Sequence, residues 1–491
     1  MLTLCILVPL LGALALAALP SLGEAAARGA AIGITAVPLI LLVVVWAGFS
    51  GGAGFQAVEE VPWIPALGIA WRLGVDGMSL SLTLMSALLF LAAIAWPMAP
   101  LPRARSYYAW FLFLMAVSLG LFLALDLIIF YVFFDLSLVG MYFLIGRWGH
   151  GQAERAALKF FLYTLAGSLL ILIGIIVLAL SAPTLSFDMR DIIAAAPLAG
   201  SGPIGALVLL AFVIGFGIKT PLFPFHTWLP PAHVDAPGPV SAILAGVLLK
   251  MGTYGLIRLP MQMMPATFAA WALPLAVLAV LSILWGAIVA LGQGNFKRRI
   301  AYTSVNHMGY TVLGIAVAGS ALGSEAARAM ALTGAVVEMI AHGLITGSLF
   351  LIAGAFWQRA EDYDMTNYGG LASLTPKLTG ATALAAFASL GLPGLAGFVA
   401  ELHIFLGAFA VYPWLAAIGL LGLLITAALF LDILRQVFFG DLPAARASFP
   451  DLTPSEIGIL AALLALVVLI GVWPSWLLDL IGAGSLLPVA G

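Results

Sequence analysis

Phe216-Gly-Ile-Lys-Thr-Pro-Leu-Phe-Pro224 interrupts an apolar run that extends from about residue 203 to 229. A lysine, Lys219, sits inside it, two residues ahead of the first proline. Pro221 has no N–H to offer the carbonyl four residues back, Gly217, and its ring clashes there. The helix is therefore expected to break within the run, with the freed carbonyls turned toward a cation or ordered water. Unwound backbone at membrane depth is tolerated only where it lines protein or a water-filled cavity. The stretch reads as a piece of a membrane protein with a polar interior.

The remainder of the chain agrees. Of its 491 residues, 64% are hydrophobic and only 8% charged, against about a quarter charged in an ordinary globular domain. Apolar runs of roughly 20 residues recur along its length, each able to cross a hydrocarbon core about 30 Å thick. A net charge of -2 and the lack of any basic block argue against nucleic-acid binding. Cys5 is the single cysteine, which is too few for an iron–sulfur cluster, an internal disulfide or a four-ligand zinc site. The first run, Leu2 to Leu19, lacks a basic leader and reads as a first span, not a removed signal.

The reading is an all-α integral membrane protein of about 14 transmembrane helices. The spans fall near 2–20, 30–50, 74–98, 106–125, 127–146, 155–180, 203–229, 233–258, 265–292, 299–319, 329–357, 377–411, 414–439 and 454–475. Alternate loops test this count, because Lys and Arg concentrate on the cytoplasmic side. Thirteen basic residues fall on one side and four on the other (Arg72, Arg190, Arg258 and Arg328), which places both termini on the outer, periplasmic side. The two left over, Lys219 and Lys250, lie inside spans.

A second break, Leu390-Gly-Leu-Pro-Gly-Leu-Ala-Gly397, interrupts span 12 as the first interrupts span 7. Spans 4–8 and 9–13 then form two five-helix units. An odd number of spans makes consecutive units insert with opposite orientation, the inverted-repeat plan of many ion-coupled transporters. The chain divides accordingly into 1–105 (helices 1–3), 106–258 (first unit), 265–440 (second unit) and 441–491 (helix 14).

An ionisable group at a helix centre costs about 2.5–3.5 kcal/mol on insertion scales, so retained ones are functional candidates. Asp135 closes Phe130-Tyr-Val-Phe-Phe-Asp135 in span 5; Lys219 precedes the span 7 break; Lys250 lies deep in span 8; Glu401 follows the span 12 break. The plainer reading of Asp135 and Lys219 is a structural counter-ion, of Lys250 a side chain that snorkels to the interface, and of Glu401 a carboxylate already in headgroup water. His226, His307 and His342 add groups that titrate near neutral pH, although any one alone could be a packing residue. Glu338 and His342, four apart, share a helix face, so Glu338 is a further possible proton site. Asp76 most simply caps span 3. His150 and His233 sit in loops, and His403 beside Glu401 is ambiguous.

Four motifs carry a specific likeness: Gly217-Ile-Lys-Thr-Pro-Leu-Phe-Pro-Phe-His-Thr-Trp-Leu-Pro-Pro-Ala-His233, Leu248-Leu-Lys-Met-Gly-Thr-Tyr-Gly255, Tyr302-Thr-Ser-Val-Asn-His-Met-Gly309 and Ile340-Ala-His-Gly-Leu344. From about residue 70 to 440 the chain resembles the antiporter-like membrane subunits of respiratory complex I (NADH-quinone oxidoreductase). The resemblance implies a multi-pass subunit in a bacterial inner membrane, with a central polar axis relaying H⁺. Position by position, it places the relay on Asp135, Lys219, Lys250 and Glu401, with His226, His307 and His342 between. The large relatives usually carry Lys in span 12, so Glu401 points to the chain 4 (subunit M) type. FMN, iron–sulfur clusters and quinone are implied in partner subunits and no cofactor in this chain; neighbouring antiporter-like subunits are the implied partners. The alternatives are a Na⁺/H⁺ antiporter subunit without redox chemistry and a membrane subunit of a hydrogenase-type complex. Two positions depart from the pattern. Asp135 stands where Glu is usual, and Glu338 stands where an uncharged residue is expected.

Overall fold

The computed structural model describes residues 1–19, 22–52, 54–98, 100–199, 202–482 and 486–487. Residue 20, the expected end of the first span, and positions 483–485 and 488–491 of the C-terminal segment lie outside them.

The chain begins with α1 (Leu2–Ala18) and α2 (Glu24–Ala47), then an antiparallel hairpin of β1 (Gln56–Ile64) and β2 (Ile69–Val75). Helices α3 (Gly77–Ala95), α4 (Ala104–Leu123), α5 (Leu127–Trp148), α6 (Ala153–Leu180), the short α7 (Met189–Ala195) and α8 (Pro203–Lys219) follow. After an irregular stretch come α9 (Leu229–Asp235), α10 (Gly238–Ile243), a π turn at Leu244–Leu248, α11 (Leu249–Leu256) and a second π turn at Ile257–Met261. The second half holds α12 (Pro265–Leu291), α13 (Phe296–Ala318), α14 (Glu325–Ala360), α15 (Pro376–Ser389), α16 (Ala396–Val411), α17 (Pro413–Phe438), α18 (Pro454–Val472) and α19 (Ser475–Ile481).

Ten of these helical stretches are long and apolar enough to cross a membrane. The other four expected spans fall on α1, α8, α13 and the α15–α16 pair, which are shorter, charged at one end or broken. Helix starts follow local chemistry. The Asp126 carboxylate accepts from Ile128 N (3.0 Å) and Ile129 N (3.3 Å), so α5 begins one turn after α4 ends. Asn295 and Ser324 cap α13 and α14 in the same way, and Thr453 with Glu456 forms a capping box on α18.

Three expectations need correction. The hairpin makes the molecule not purely helical, and it pulls the start of the third span from residue 74 to Gly77, after the Asp76 cap. The eighth span starts at Gly238 and not at 233, because Pro237 bars helix at the residue before it. The carbonyls freed at Pro221 do not face an ion: Phe216 O accepts from Thr220 N, Gly217 O from Leu222 N and Ile218 O from Trp228 Nε1. A one-residue widening of the last turn and an indole have satisfied the break from within.

Helices α4, α5, α6, α8 and α11 pack successively on one another, as do α17, α12, α13, α14 and α16. The two sets meet where α10 and the first π turn lie against α14. Helix α14, 36 residues long, is buried along its spanning window and is the post at the centre of the molecule. Helices α1–α3 flank α4, and α18 closes over α14 and α16.

Candidate functional site

The polar interior begins on α5 and α8. Lys219, the last residue of α8, is buried, and its Nζ donates to Ser137 Oγ at 3.1 Å. It also lies over the Phe134 ring at 5.0 Å. The Asp135 carboxylate on α5 makes no direct ion pair with Lys219, and Asp135 Oδ1 is buried without a hydrogen-bond partner. The Ser137 hydroxyl, not the carboxylate, takes the ammonium.

Beyond Lys219 the chain reaches Thr220, whose hydroxyl is buried with no partner. Gly252 of α11 is pressed against it; a Cβ at Gly252 would sit 2.2 Å from Thr220 Oγ1. Two residues earlier on α11 stands Lys250, fully buried, with Nζ 2.6 Å from Ala245 O and 2.6 Å from His342 Nδ1. The acceptor Ala245 belongs to the π turn that leads into α11. A π turn offsets the carbonyl ladder by one residue and recurs at functional sites.

From His342 on α14 the polar atoms run on without leaving the core. The His342 and His307 rings are 5.5 Å apart between centroids. His307 Nδ1 lies 3.1 Å from Glu338 Oε1, and His307 Nε2 lies 3.1 Å from Ser389 Oγ at the end of α15. The α15–α16 break follows, and the Glu401 carboxylate fills it: a Cβ at Gly391 (φ 77°) would sit 2.1 Å from Glu401 Oε2. Glu401 Oε1 is buried and unpartnered.

Seven of the eight candidates thus fall into two groups, Asp135–Lys219 and Lys250–His342–His307–Glu338–Glu401. His226 is the exception. It touches neither lysine; Trp285 Nε1 donates to its Nε2 at 3.2 Å, on the α12 side of the molecule. The irregular backbone of 220–228 turns the chain away, so a spacing of seven residues no longer means a shared face. His403 donates back to Val399 O on its own helix, off the axis.

Sequence reading passed over several residues. Ser137 and Ser389 are joints in the chain of polar atoms, and small hydroxyls carry no signal by themselves. His233, set aside as a loop residue, is fully buried and stacked on Phe350 at 4.3 Å, with both ring nitrogens unpartnered. Asp76 does cap α3, in a capping box with Ser79, and it also holds the buried Arg258 at 2.6 Å. Arg72 bridges Asp126 (2.9 Å), Glu60 (2.9 Å) and Asp188 (3.4 Å) under the hairpin. These pairs neutralise span ends and leave the axis as a separate feature.

A chain of hydroxyl, imidazole, amine and carboxyl groups inside a membrane-embedded helical bundle defines an ion-translocating membrane protein, since each such group can accept and release a proton. The comparisons with known proteins are specific. Residues 124–426 match the family model described as NADH:quinone oxidoreductase/Mrp antiporter, TM. The chain is 38% identical to NAD(P)H-quinone oxidoreductase chain 4 of Picosynechococcus sp., over 96% of this chain and 89% of that one. It is 38% identical to NADH-quinone oxidoreductase subunit M of Rhodobacter capsulatus, over 94% and 90%. A chain of respiratory complex I from Thermus thermophilus superposes with a TM-score of 0.89 at 30% identity over the whole of both chains. A chain of the Mrp complex from Dietzia sp. shares the fold, with a TM-score of 0.86 at 22% identity. The chain belongs to the NADH:quinone oxidoreductase/Mrp antiporter family of membrane subunits. Within it, the type is the one that Glu401 indicated, chain 4 or subunit M.

Proposed function

We propose that this chain is the proton-translocating, antiporter-like membrane subunit of an NADH-quinone oxidoreductase, driven by redox chemistry in partner subunits that hold the flavin, the iron–sulfur clusters and the quinone site. The observation that carries the reading is the buried cluster in which Lys250 Nζ meets His342 Nδ1 at 2.6 Å and the His307 ring, 5.5 Å from that of His342, meets both Glu338 and Ser389 at 3.1 Å. The names of the relatives support the redox partnership. Spans 4–8 and 9–13 are taken as inverted repeats from their matching breaks and odd span number, and both termini as periplasmic from the charge asymmetry of the loops.

In this mechanism Asp135 sets the charge balance of Lys219, and a signal from the redox arm alters their separation. The proton leaves Lys219 past the Thr220 hydroxyl to Lys250, with His226 lying to one side of the route. It then moves through His342 and His307, steadied by Glu338, to Glu401. Moving one charge against 100 mV costs about 2.3 kcal/mol, which is within the change in interaction energy of a charge pair in a low dielectric.

The test is purification of the intact complex in mild detergent, with and without Lys219→Ala. Wild-type chain is expected to co-purify with flavin and iron–sulfur subunits, and the variant to assemble while losing coupled quinone reduction. Absence of redox subunits would favour a Na⁺/H⁺ antiporter, and normal turnover with full pumping in the variant would remove Lys219 from the mechanism.

A further inference from the structure

A cavity of about 520 Å³ lies between α2, α3, α14, α18 and α19, away from the polar axis. Leu39, Leu84, Leu88, Leu344 and Leu466 line its depth. The one hydroxyl in the lining, Ser81, donates to Met78 O at 2.9 Å on its own helix and offers the cavity nothing. The walls are therefore matched to hydrocarbon. Three tryptophans, Trp46, Trp473 and Trp476, gather at the end where α2 and α18 finish. Tryptophan clusters of this kind mark the headgroup level of a bilayer. Trp46 and Trp476 are 5.9 Å apart between ring centroids, and the Trp476 Nε1–H is buried with no acceptor.

Val43, Trp46, Leu469 and Trp473 in the lining are exposed, so the space opens outward toward the bilayer. Size narrows the occupant. A hydrocarbon chain of ~16 methylenes, each close to the roughly 30 Å³ of a water molecule, needs roughly 480 Å³. We infer that the cavity is a binding site for one acyl chain of a phospholipid from the leaflet on the hairpin side, with an ester or phosphate oxygen accepting from Trp476 Nε1. The chain lies against the back of α14: Ile340 and Leu344, which flank His342 in sequence, form part of the wall. Met85, also in the wall, abuts Gly343, where a Cβ would sit 2.6 Å from the methionine sulfur. The lipid thus supports, from behind, the helix that carries Glu338 and His342.

The test reconstitutes the intact complex with a phosphatidylcholine carrying a photoreactive diazirine on one acyl chain. After detergent exchange, irradiation and peptide mapping, label is expected on the segments around Leu84–Leu88 and Leu466–Leu480. Leu424, exposed on the outside of α17, serves as the ordinary annular position and is expected to lose its label in the exchange. Ser81→Phe, which fills the cavity, should abolish the retained label. Trp476→Phe keeps an aromatic ring, removes the N–H and should make the label wash out faster, which keeps the test decisive if the bulkier variant fails to assemble. Loss of cavity label in step with Leu424, unchanged retention in both variants, or recovery of a quinone or a partner helix cross-linked at these segments would overturn the assignment.

Discussion

Glu338 is the residue whose role depends most on its surroundings. Its four-residue spacing from His342 put both on one helix face, so its membership of the axis was legible. Its partner was not, because His307 comes from another helix and only packing decides which rings meet. Glu338 now stands against His307, with Oε1 3.1 Å from the imidazole Nδ1. Glu338→Gln keeps an acceptor for His307 and removes the charge; coupled proton translocation is expected to fall while assembly is preserved, as read by protons moved per quinone reduced. Asp135→Glu restores the missing methylene and is expected to form the direct contact with Lys219 and keep pumping, whereas Asp135→Asn loses it. If Asp135→Asn pumps normally and only assembles poorly, the carboxylate is a packing counter-ion. Arg258 gives a contrasting case. Asp76→Ala leaves that guanidinium buried and unpaired, which typically costs about 3–5 kcal/mol, so the expected signature is a lowered thermal midpoint of the assembled complex. Asp76→Asn should be milder, because its amide oxygen still accepts from the guanidinium.

At the scale of elements, the two breaks were the most readable features, since proline and glycine act on backbone whatever surrounds them. What the breaks do was less readable. At Pro221 the chain satisfies its own carbonyls, while at Gly391 it makes room for a carboxylate. Gly391→Ala introduces a left-handed alanine, costing about 1–2 kcal/mol, and its Cβ also collides with the Glu401 carboxylate. Translocation is expected to drop more than stability does, and a thermal midpoint unchanged alongside normal pumping would show that the Glu401 side chain has another place to sit. The β-hairpin escaped notice because Glu59 and Glu60 interrupt its apolar alternation and its strands lie between two strong helical signals. The π turns beside Lys250 were likewise invisible, as one extra residue per turn leaves no mark on an all-apolar sequence.

For the whole molecule, the succession of helices was legible because crossing a bilayer demands long apolar runs, while some bounds moved, as where α8 stops at Lys219 and not at 229. The order in which the helices pack was not legible, as their contacts run through Gly, Ala and Ser at positions that look alike in a hydrophobic sequence. That order is what brings Lys250, His342, His307 and Glu338 from three helices together. The central claim is that protons cross through these residues, and the most direct measurement is NADH-driven proton movement in liposomes containing the intact complex with Lys250→Met. This substitution preserves the apolar stem and deletes the amine that meets His342. The expected result is an assembled complex with proton translocation lost or sharply reduced; translocation per NADH equal to that of the unsubstituted complex would contradict that claim.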